Sequence, residues 1–261
     1  MDSPLNDLLN AVSAAALGEP QSEIAHARPD FGREDRKGIP EVILADTKTA
    51  EQVIRITEAV LASRGRAILS RVPAALQSQI QEHFADHGVE LYAASGMMVI
   101  RARGQERPLS GGRVGVVTAG TSDVAVAEQA AVVAREMGCE VELVSDVGVA
   151  GLHRLFPPLQ KMLEAGVDAM VVAAGMDGAL PSVISGLVDV PVIGLPVSTG
   201  YGLGGQGVAA LLSMLQTCAP GLTVVNIDNG VGAGATAGLI ANRCARARAG
   251  AAGRGPAHQE G

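Results

Sequence analysis

The stretch GRVGVVTAG, Gly112–Gly120, decides the fold class of this chain. Its run of β-branched residues predicts a short buried strand, and the glycine at its end predicts a tight turn. Thr121, Ser122 and Asp123 follow and predict the start of a helix that continues to Met137. Strand, turn and helix in this order form the repeating unit of a parallel α/β sheet.

The same alternation continues toward the C-terminus. Strands are predicted over 139–145, 169–175, 190–196 and 222–227, and helices over 152–165, 208–217 and 233–245, with a short helix from Pro181. Right-handed crossovers would cover both faces of the sheet, which predicts a three-layer α/β domain over 111–248. The polar, Gly/Ala-rich tail over 249–261 predicts disorder.

A smaller α/β module is predicted over 1–110. It would comprise a leading helix at Ser3–Leu17, strands near 42–45, 67–70, 91–94 and 97–101, and helices near 49–63 and 73–87. Thr49 is a candidate N-cap. The charged run over 28–41 is interpreted as a solvated linker, and the polar segment over 103–112 as the connection between domains.

Composition excludes several function classes. The 261 residues are 48% hydrophobic but only 2% aromatic, with 33 glycines, which suits thin layers of helix on sheet. A net charge of −7 without a basic tract argues against nucleic-acid binding. Three unpaired cysteines argue against a disulfide framework or a zinc site. Neither a membrane-spanning run nor a signal peptide is recognisable, so we expect a cytoplasmic protein.

Ligands of open parallel sheets bind at the carboxyl ends of the strands, and we expect every unusual segment of the second module to lie at such an end. The loop with Thr118, Gly120, Ser122 and Asp123 suits phosphate, although Ser122 or Asp123 could equally be a plain N-cap. The other candidates at strand ends are Gly175, Met176, Asp177, Gly178, Ser198, Gly200, Tyr201, Asn226, Asp228 and Asn229.

These later loops allow more than one role. Asp177 lies between two glycines and could exchange protons with a ligand or simply cap a helix. The glycine-rich loop from Ser198 could wrap a ligand or merely be flexible. The Asn226–Asn229 segment could form a turn, hold ribose hydroxyls or bind Mg²⁺.

Cys218 is the candidate nucleophile. Cys139 and Cys244 lie inside predicted elements and are interpreted as inert core thiols. Cys218 instead follows a helix and precedes a Pro-Gly turn, and we expect it to be accessible at the ligand-binding edge of the sheet. A helix C-terminus does not favour a thiolate, so His153 or Arg154 would have to lower its pKa.

The second module resembles the aminoimidazole ribonucleotide carboxylase (PurE-type) fold, which has a flavodoxin-type sheet. The resemblance lies in the Ser122-Asp123 turn, the His153-Arg154 loop, the Gly175–Pro181 turn and the strand 191–197. More specifically, the chain resembles the LarB family of nickel-pincer cofactor biosynthesis carboxylases. The stretches that carry this resemblance are 35–42, 47–49, 118–123, 144–152, 176–182, 194–202 and 211–230, the last with Cys218 and Asn-Ile-Asp-Asn-Gly.

The LarB resemblance implies a defined reaction. The pyridinium ring of nicotinic acid adenine dinucleotide is carboxylated at C5 by CO₂ or bicarbonate, and the phosphoanhydride is cleaved. The products are pyridinium-3,5-biscarboxylic acid mononucleotide and AMP. Cys218 would add to the ring and Asp177 would accept the proton.

The resemblance also implies the surroundings of the reaction. Ser122, Asp123, Asp146 and His153 would shape the pocket, and Arg36, Lys37 and Lys48 could supply cations for phosphate. Mg²⁺ is expected as a cofactor, with Asp228 as a candidate ligand and no organic cofactor. A homo-oligomer is expected, either an octamer or a smaller symmetric assembly. Three alternatives remain open: a purine-pathway carboxylase, which needs no thiol, a non-catalytic nucleotide-binding domain, and a purely structural role for Cys218.

Overall fold

The computed structural model describes residues 27–252, so the predicted helix at Ser3–Leu17 lies outside the described residues. The chain divides into two compact units. The N-terminal unit extends to Leu91 and includes Met98–Gln105, and the C-terminal unit comprises Tyr92–Met97 and the chain from Glu106 onward.

The N-terminal unit is a four-stranded sheet covered by helices. Strands β1 and β2 are parallel, β2 and β4 are antiparallel, and the order in the sheet is β1-β2-β4-β3. Thr49 caps α2 through a capping box with Gln52, as predicted. The bounds are α1 Arg33–Lys37, β1 Val42–Leu44, α2 Ala50–Arg64, β2 Arg66–Ser70, α3 Ala74–His83, β3 Gly88–Tyr92 and β4 Met97–Arg101.

The charged run over 28–41 is part of this unit, and its interpretation as a solvated linker is wrong. It contains α1, and Asp35 of this helix pairs with Arg64 of α2 at 2.6 Å. Phe31 packs against the core of the unit, and the Glu34 carboxylate pairs with the buried Arg66. These ion pairs therefore hold the segment against α2 and β2 of the N-terminal unit. The pattern of charges in the sequence does not show which partners they have.

The C-terminal unit has a five-stranded, fully parallel sheet in the order β6-β5-β7-β8-β9, the flavodoxin-type order. The predicted fold class is confirmed. The strands are β5 Arg113–Thr118, β6 Glu140–Val144, β7 Ala169–Ala174, β8 Val192–Pro196 and β9 Leu222–Val224. The helices are α4 Val124–Glu136, α5 Phe156–Glu164, α6 Leu180–Ser185, α7 Val208–Leu215 and α8 Gly230–Ala252.

Two apolar layers cover this sheet. On one face, alanines of α4 and α8 pack against the strands. The two helices approach so closely that a Cβ on Gly234 would lie 2.3 Å from the carbonyl oxygen of Ala130. On the other face, larger residues such as Leu159, Ile184 and Met214 bring α5, α6 and α7 onto the sheet. Small side chains let the backbones of α4 and α8 come into contact, which is consistent with the low aromatic content of the chain.

Several element boundaries differ from the sequence prediction. Helix α8 continues to Ala252, so residues 249–252 of the predicted disordered tail are helical. Alanines in this region favour helix, and Arg248 pairs with Asp168 at the start of β7. Strand β3 ends at Tyr92, and residues 93–96 form a turn. Within residues 27–252, no helix is long and apolar enough to cross a bilayer.

Candidate active site

A pocket of about 820 Å³ opens at the carboxyl ends of β5, β6 and β7. All of its lining residues belong to the C-terminal unit. Nine of them were predicted from the sequence: Gly120, Ser122, Asp123, Asp146, Gly175, Met176, Asp177, Gly200 and Tyr201. Four informative ones were not predicted as binding residues: Gly148, Arg154, Leu180 and Thr199.

The first wall of the pocket is built from the loop after β5. Thr118 is fully buried, and its hydroxyl donates to the Gly120 carbonyl at 2.9 Å and accepts from the Asp146 amide at 3.2 Å. Thr118 therefore does not line the pocket but joins the ends of two strands. Asp123 is 3% exposed and accepts from the Gly120 amide at 2.8 Å and from the Thr199 hydroxyl at 2.9 Å.

The second wall carries an ion pair. Arg154 Nη1 lies 2.9 Å from Asp146 Oδ2, and both side chains are about half exposed. Of the described residues that line the pocket, Arg154 alone is cationic. Asp146 has a left-handed backbone with a φ of 61°, which is uncommon for a non-glycine residue. The pair gives the pocket a guanidinium whose remaining N–H groups can bind an anion.

The third wall is the loop after β7, where Met176 has a φ of 52° and Gly178 a φ of 61°. A Cβ on Gly178 would lie 2.7 Å from backbone atoms of Ala210 in α7, so both the conformation and the space require glycine. Gly178 itself does not line the pocket. The exposed Asp177 side chain between them borders the pocket, where a carboxylate can accept a proton.

The fourth wall is the glycine-rich loop after β8. Thr199, Gly200 and Tyr201 line the pocket, and the Tyr201 side chain is 83% exposed. The loop starts at Ser198, whose amide donates to Asp228 Oδ1 at 2.8 Å. Tyr201, Met176 and Leu180 give the pocket an apolar wall that suits a planar ring.

Several predicted binding residues lie outside the pocket lining. Asn229 caps α8 by accepting from the Gly232 amide at 2.9 Å, and Asp228 anchors Ser198. Asn226 accepts from the neighbouring Ile227 amide, and His153 is exposed. These loops follow strands as predicted, but their polar groups stabilise turns.

The predicted cationic residues belong to the N-terminal unit. Arg36 pairs with Asp30 at 2.7 Å, and Lys48 donates to the Leu44 carbonyl at 2.7 Å. Their contacts with phosphate stay predictions.

Cys218 does not lie at the edge predicted for it. Helix α7 runs from the carboxyl end of β8 back toward the amino end of β9, so a residue that follows α7 lies at the opposite edge from the pocket. The neighbouring Pro220 carbonyl accepts from Ser185 at the end of α6, which is also at that opposite edge. Cys218 is exposed, as predicted, but within one chain it does not line the pocket.

Cys139 and Cys244 were predicted to be inert thiols of the core, and only Cys139 is buried. Burial raises the pKa of Cys139 to about 11, so this thiol stays protonated at neutral pH. Cys244 is partly buried in α8.

The described residues do not assemble a resident metal site. Among residues 27–252, no group of three His, Cys, Asp or Glu side chains could hold a metal ion. Asp228, the candidate ligand for Mg²⁺, uses Oδ1 to anchor Ser198. The donor set of the described residues therefore does not fit a metal held by the protein alone.

Two protein-family models match this chain. A family model described as AIR carboxylase matches residues 113–252, more than half of the chain. The chain belongs to the AIR carboxylase family. A second model, described as a LarB/PurE-like N-terminal domain, matches residues 21–102.

Individual relatives agree with this assignment to the AIR carboxylase family. An uncharacterised protein of Methanocaldococcus jannaschii is 42% identical over 215 residues, which cover 81% of this chain and 82% of that protein. The N5-carboxyaminoimidazole ribonucleotide mutase of Thermotoga maritima is 30% identical over 131 residues, 49% of this chain and 74% of the mutase. The corresponding mutase of M. jannaschii is 31% identical over 127 residues, 48% of this chain and 74% of the mutase. Membership indicates an enzyme with carboxylase-related chemistry.

Proposed function

We propose that the chain carboxylates the pyridinium ring of nicotinic acid adenine dinucleotide at C5 and hydrolyses its phosphoanhydride with one molecule of water. The products are pyridinium-3,5-biscarboxylic acid mononucleotide and AMP, in the synthesis of a nickel-pincer cofactor. The observation that carries this proposal is a single large pocket in which the Asp177 carboxylate, the Arg154 guanidinium and an apolar wall face one space. A LarB/PurE-like N-terminal domain in the same chain favours it over a mononucleotide carboxylase.

The pocket offers a place for each part of a dinucleotide. Its 820 Å³ lies toward the upper end of the range for small-molecule sites, which spans about 300–1,000 Å³. Arg154 and the amides at the start of α4 suit phosphates. Tyr201 suits the pyridinium ring, because a cationic ring is attracted to an aromatic face, and Met176 offers an apolar contact to a pyridinium or adenine ring.

The proposed chemistry needs a thiolate because an electron-poor pyridinium cannot attack CO₂. Addition of the Cys218 thiolate to C4 or C6 forms a C–S bond and turns the ring into a neutral dihydropyridine, which is nucleophilic at C5. C5 then attacks CO₂ and forms the new C–C bond. Asp177 accepts the C5 proton, and cleavage of the C–S bond expels the thiolate and restores the pyridinium.

A single chain separates the two groups that this reaction needs, since Cys218 and Asp177 lie at opposite edges of the sheet. We therefore propose that Cys218 of the partner subunit reaches the pocket in a symmetric homo-oligomer. This places the reacting groups at the boundary between two copies.

An exposed apolar surface on the C-terminal unit suits such packing. Val208, Leu212 and Leu215 share one face of α7 and are about half exposed, and Tyr201 and Leu203 extend the surface toward the pocket. A contiguous exposed apolar surface of this kind is typical of protein–protein interaction sites.

Mixed oligomers test the shared site. We would co-express the Cys218→Ser and Asp177→Asn chains in equal amounts, because each variant lacks one reacting group. If each site combines groups from two copies, hybrids regain about one quarter of wild-type turnover, since that fraction of sites receives both intact groups. If both groups act within one chain, every site stays defective and the mixture is inactive.

Product analysis tests the function itself. The protein is incubated with nicotinic acid adenine dinucleotide and bicarbonate, with and without Mg²⁺, and the products are identified by mass. The proposal expects the biscarboxylated mononucleotide and AMP in equal amounts. Nucleotide binding without either product would contradict it and would favour a non-catalytic nucleotide-binding domain.

A purine-pathway carboxylase or mutase is the second candidate, favoured by the 30–31% identity of about half of the chain to N5-carboxyaminoimidazole ribonucleotide mutases. That chemistry needs no thiol. It predicts turnover of aminoimidazole ribonucleotide or its N-carboxy derivative by both the wild type and Cys218→Ser.

A further inference from the structure

A chain of contacts links the buried Asp123 to the loop that carries Asp177. Both carboxylate oxygens of Asp123 are used inside the protein: Oδ1 accepts from the Thr199 hydroxyl at 2.9 Å, and Oδ2 accepts from the Gly120 amide at 2.8 Å. The residue is 3% exposed. The Asp123 carboxylate therefore binds groups of the protein, Thr199 among them, and does not point freely into the pocket.

Thr199 in turn holds the loop after β7. Its carbonyl oxygen accepts from the Met176 amide at 3.0 Å. Gly175 lies directly against it, since a Cβ on Gly175 would be only 2.3 Å from both the carbonyl oxygen and the Oγ1 of Thr199. Thr199 thus contacts the two residues that immediately precede Asp177.

The conformation held in this way is an uncommon one. Met176 has a φ of 52°, and such a backbone persists only where the surrounding structure determines it. The contacts of Thr199 supply that restraint on one side of Asp177. On the other side, Gly178 lies against α7, where its own Cβ would meet Ala210 at 2.7 Å.

We infer that Asp123 is a positioning residue, which orients the Asp177 carboxylate through Thr199. This inference rests on the proposed function, in which Asp177 accepts the proton. Asp123 fixes the Thr199 side chain, Thr199 fixes the Met176 amide, and the fixed turn sets the direction of the Asp177 side chain. Loss of the Thr199 hydroxyl releases the turn but leaves Arg154 and Tyr201 in place for the nucleotide.

Two substitutions at Thr199 separate positioning from substrate binding. Thr199→Val keeps the shape but removes the hydroxyl, and Thr199→Ser keeps the hydroxyl as the matched control. For Thr199→Val we expect kcat to fall about tenfold or more, because a misplaced base loses much of its contribution, while the Kd for the nucleotide stays within about twofold. Thr199→Ser restores kcat to within about threefold of wild type. Denaturant unfolding confirms that each variant is folded.

Amide hydrogen exchange gives a readout that needs no turnover. In the protein without nucleotide, we expect the Met176 amide to exchange faster in Thr199→Val and at the wild-type rate in Thr199→Ser. Unchanged exchange at Met176 in Thr199→Val would overturn the inference. A raised Kd with unchanged kcat would also overturn it and would make the Asp123–Thr199 pair a substrate contact.

The two proposals fail separately in these experiments. If the wild type does not carboxylate the nicotinate dinucleotide, the proposed function fails. The exchange of the Met176 amide then still decides whether Thr199 holds the turn.

Discussion

Gly175 is the position where a single methyl group should disturb the site most. In Gly175→Ala, the new Cβ would lie 2.3 Å from two oxygens of Thr199, one of them in the backbone. This is about 1 Å short of an ordinary contact, so the loops after β7 and β8 must separate by that amount. The Met176–Thr199 hydrogen bond lies across the same gap and would lengthen or break.

The expected cost of Gly175→Ala has two parts. Overpacking of this kind lowers the free energy of unfolding by about 1–3 kcal/mol. A displacement of about 1 Å at a reacting group can lower turnover on the order of 100-fold. Denaturant unfolding measures the first part, and steady-state turnover of the nicotinate dinucleotide measures the second.

Gly186→Ala is the matched control for Gly175→Ala. Gly186 has a φ of −78° at the end of α6, and its Cβ would meet nothing closer than 3.6 Å. We expect its stability within about 0.5 kcal/mol of wild type and its turnover unchanged. The reasoning would be refuted if Gly175→Ala resembled this control in both measurements.

Four further predictions concern two thiols, the apolar wall and a helix cap. Iodoacetamide at pH 8 should modify the exposed Cys218 in the folded protein but spare Cys139, whose pKa near 11 leaves roughly 0.1% thiolate; peptide mass mapping checks this. Burial raises the pKa of the Cys139 thiol in the folded protein, so the protonated thiol contributes stability that is fully present below the unfolded pKa near 9. This contribution is lost as the pH rises toward the folded pKa of about 11. Cys139→Ala should therefore show a shallower alkaline loss of stability in denaturant titrations at pH 8 and 10.5. Tyr201→Ala should raise KM about tenfold through lost stacking, whereas Tyr201→Phe should keep it, and an unchanged KM in both would place the ring elsewhere. Thr49→Ala should lower the free energy of unfolding by about 1 kcal/mol, against no more than about 0.5 kcal/mol for Ser63→Ala on the exposed face of α2.

The parallel sheet could be predicted because each buried strand is a short apolar run that ends at glycine or a polar loop, as in Arg113–Thr118. The pocket loops followed from the rule that ligands bind at carboxyl ends of strands. Thr199 could not be assigned because its importance comes from Asp123, a partner distant in sequence. Arg154 was predicted to act on Cys218, whereas the structure pairs it with Asp146 at the pocket. A hydroxyl beside Gly200 at a strand end was the available signal for Thr199.

The predicted position of Cys218 was wrong for a different reason, which is the direction of the helix that precedes it. In this parallel sheet every strand ends at the carboxyl edge and every connecting helix returns the chain to the amino edge, so a residue that follows a helix lies at the amino edge. Tracing the direction of α7 from the sequence would have placed Cys218 correctly within one chain. Whether a partner subunit brings it to a pocket depends on surfaces such as the exposed face of α7, which periodicity alone does not distinguish from a buried one.

The carboxylation of the pyridinium ring with Cys218 as the nucleophile is tested most directly by following carbon-13 from bicarbonate into the product. Wild type and Cys218→Ser are each supplied with carbon-13-labelled bicarbonate and an equal mixture of nicotinic acid adenine dinucleotide and aminoimidazole ribonucleotide. The predicted result is label in the pyridinium mononucleotide with the wild type and none with Cys218→Ser. Label confined to the imidazole product, in equal amounts with both proteins, would contradict the claim.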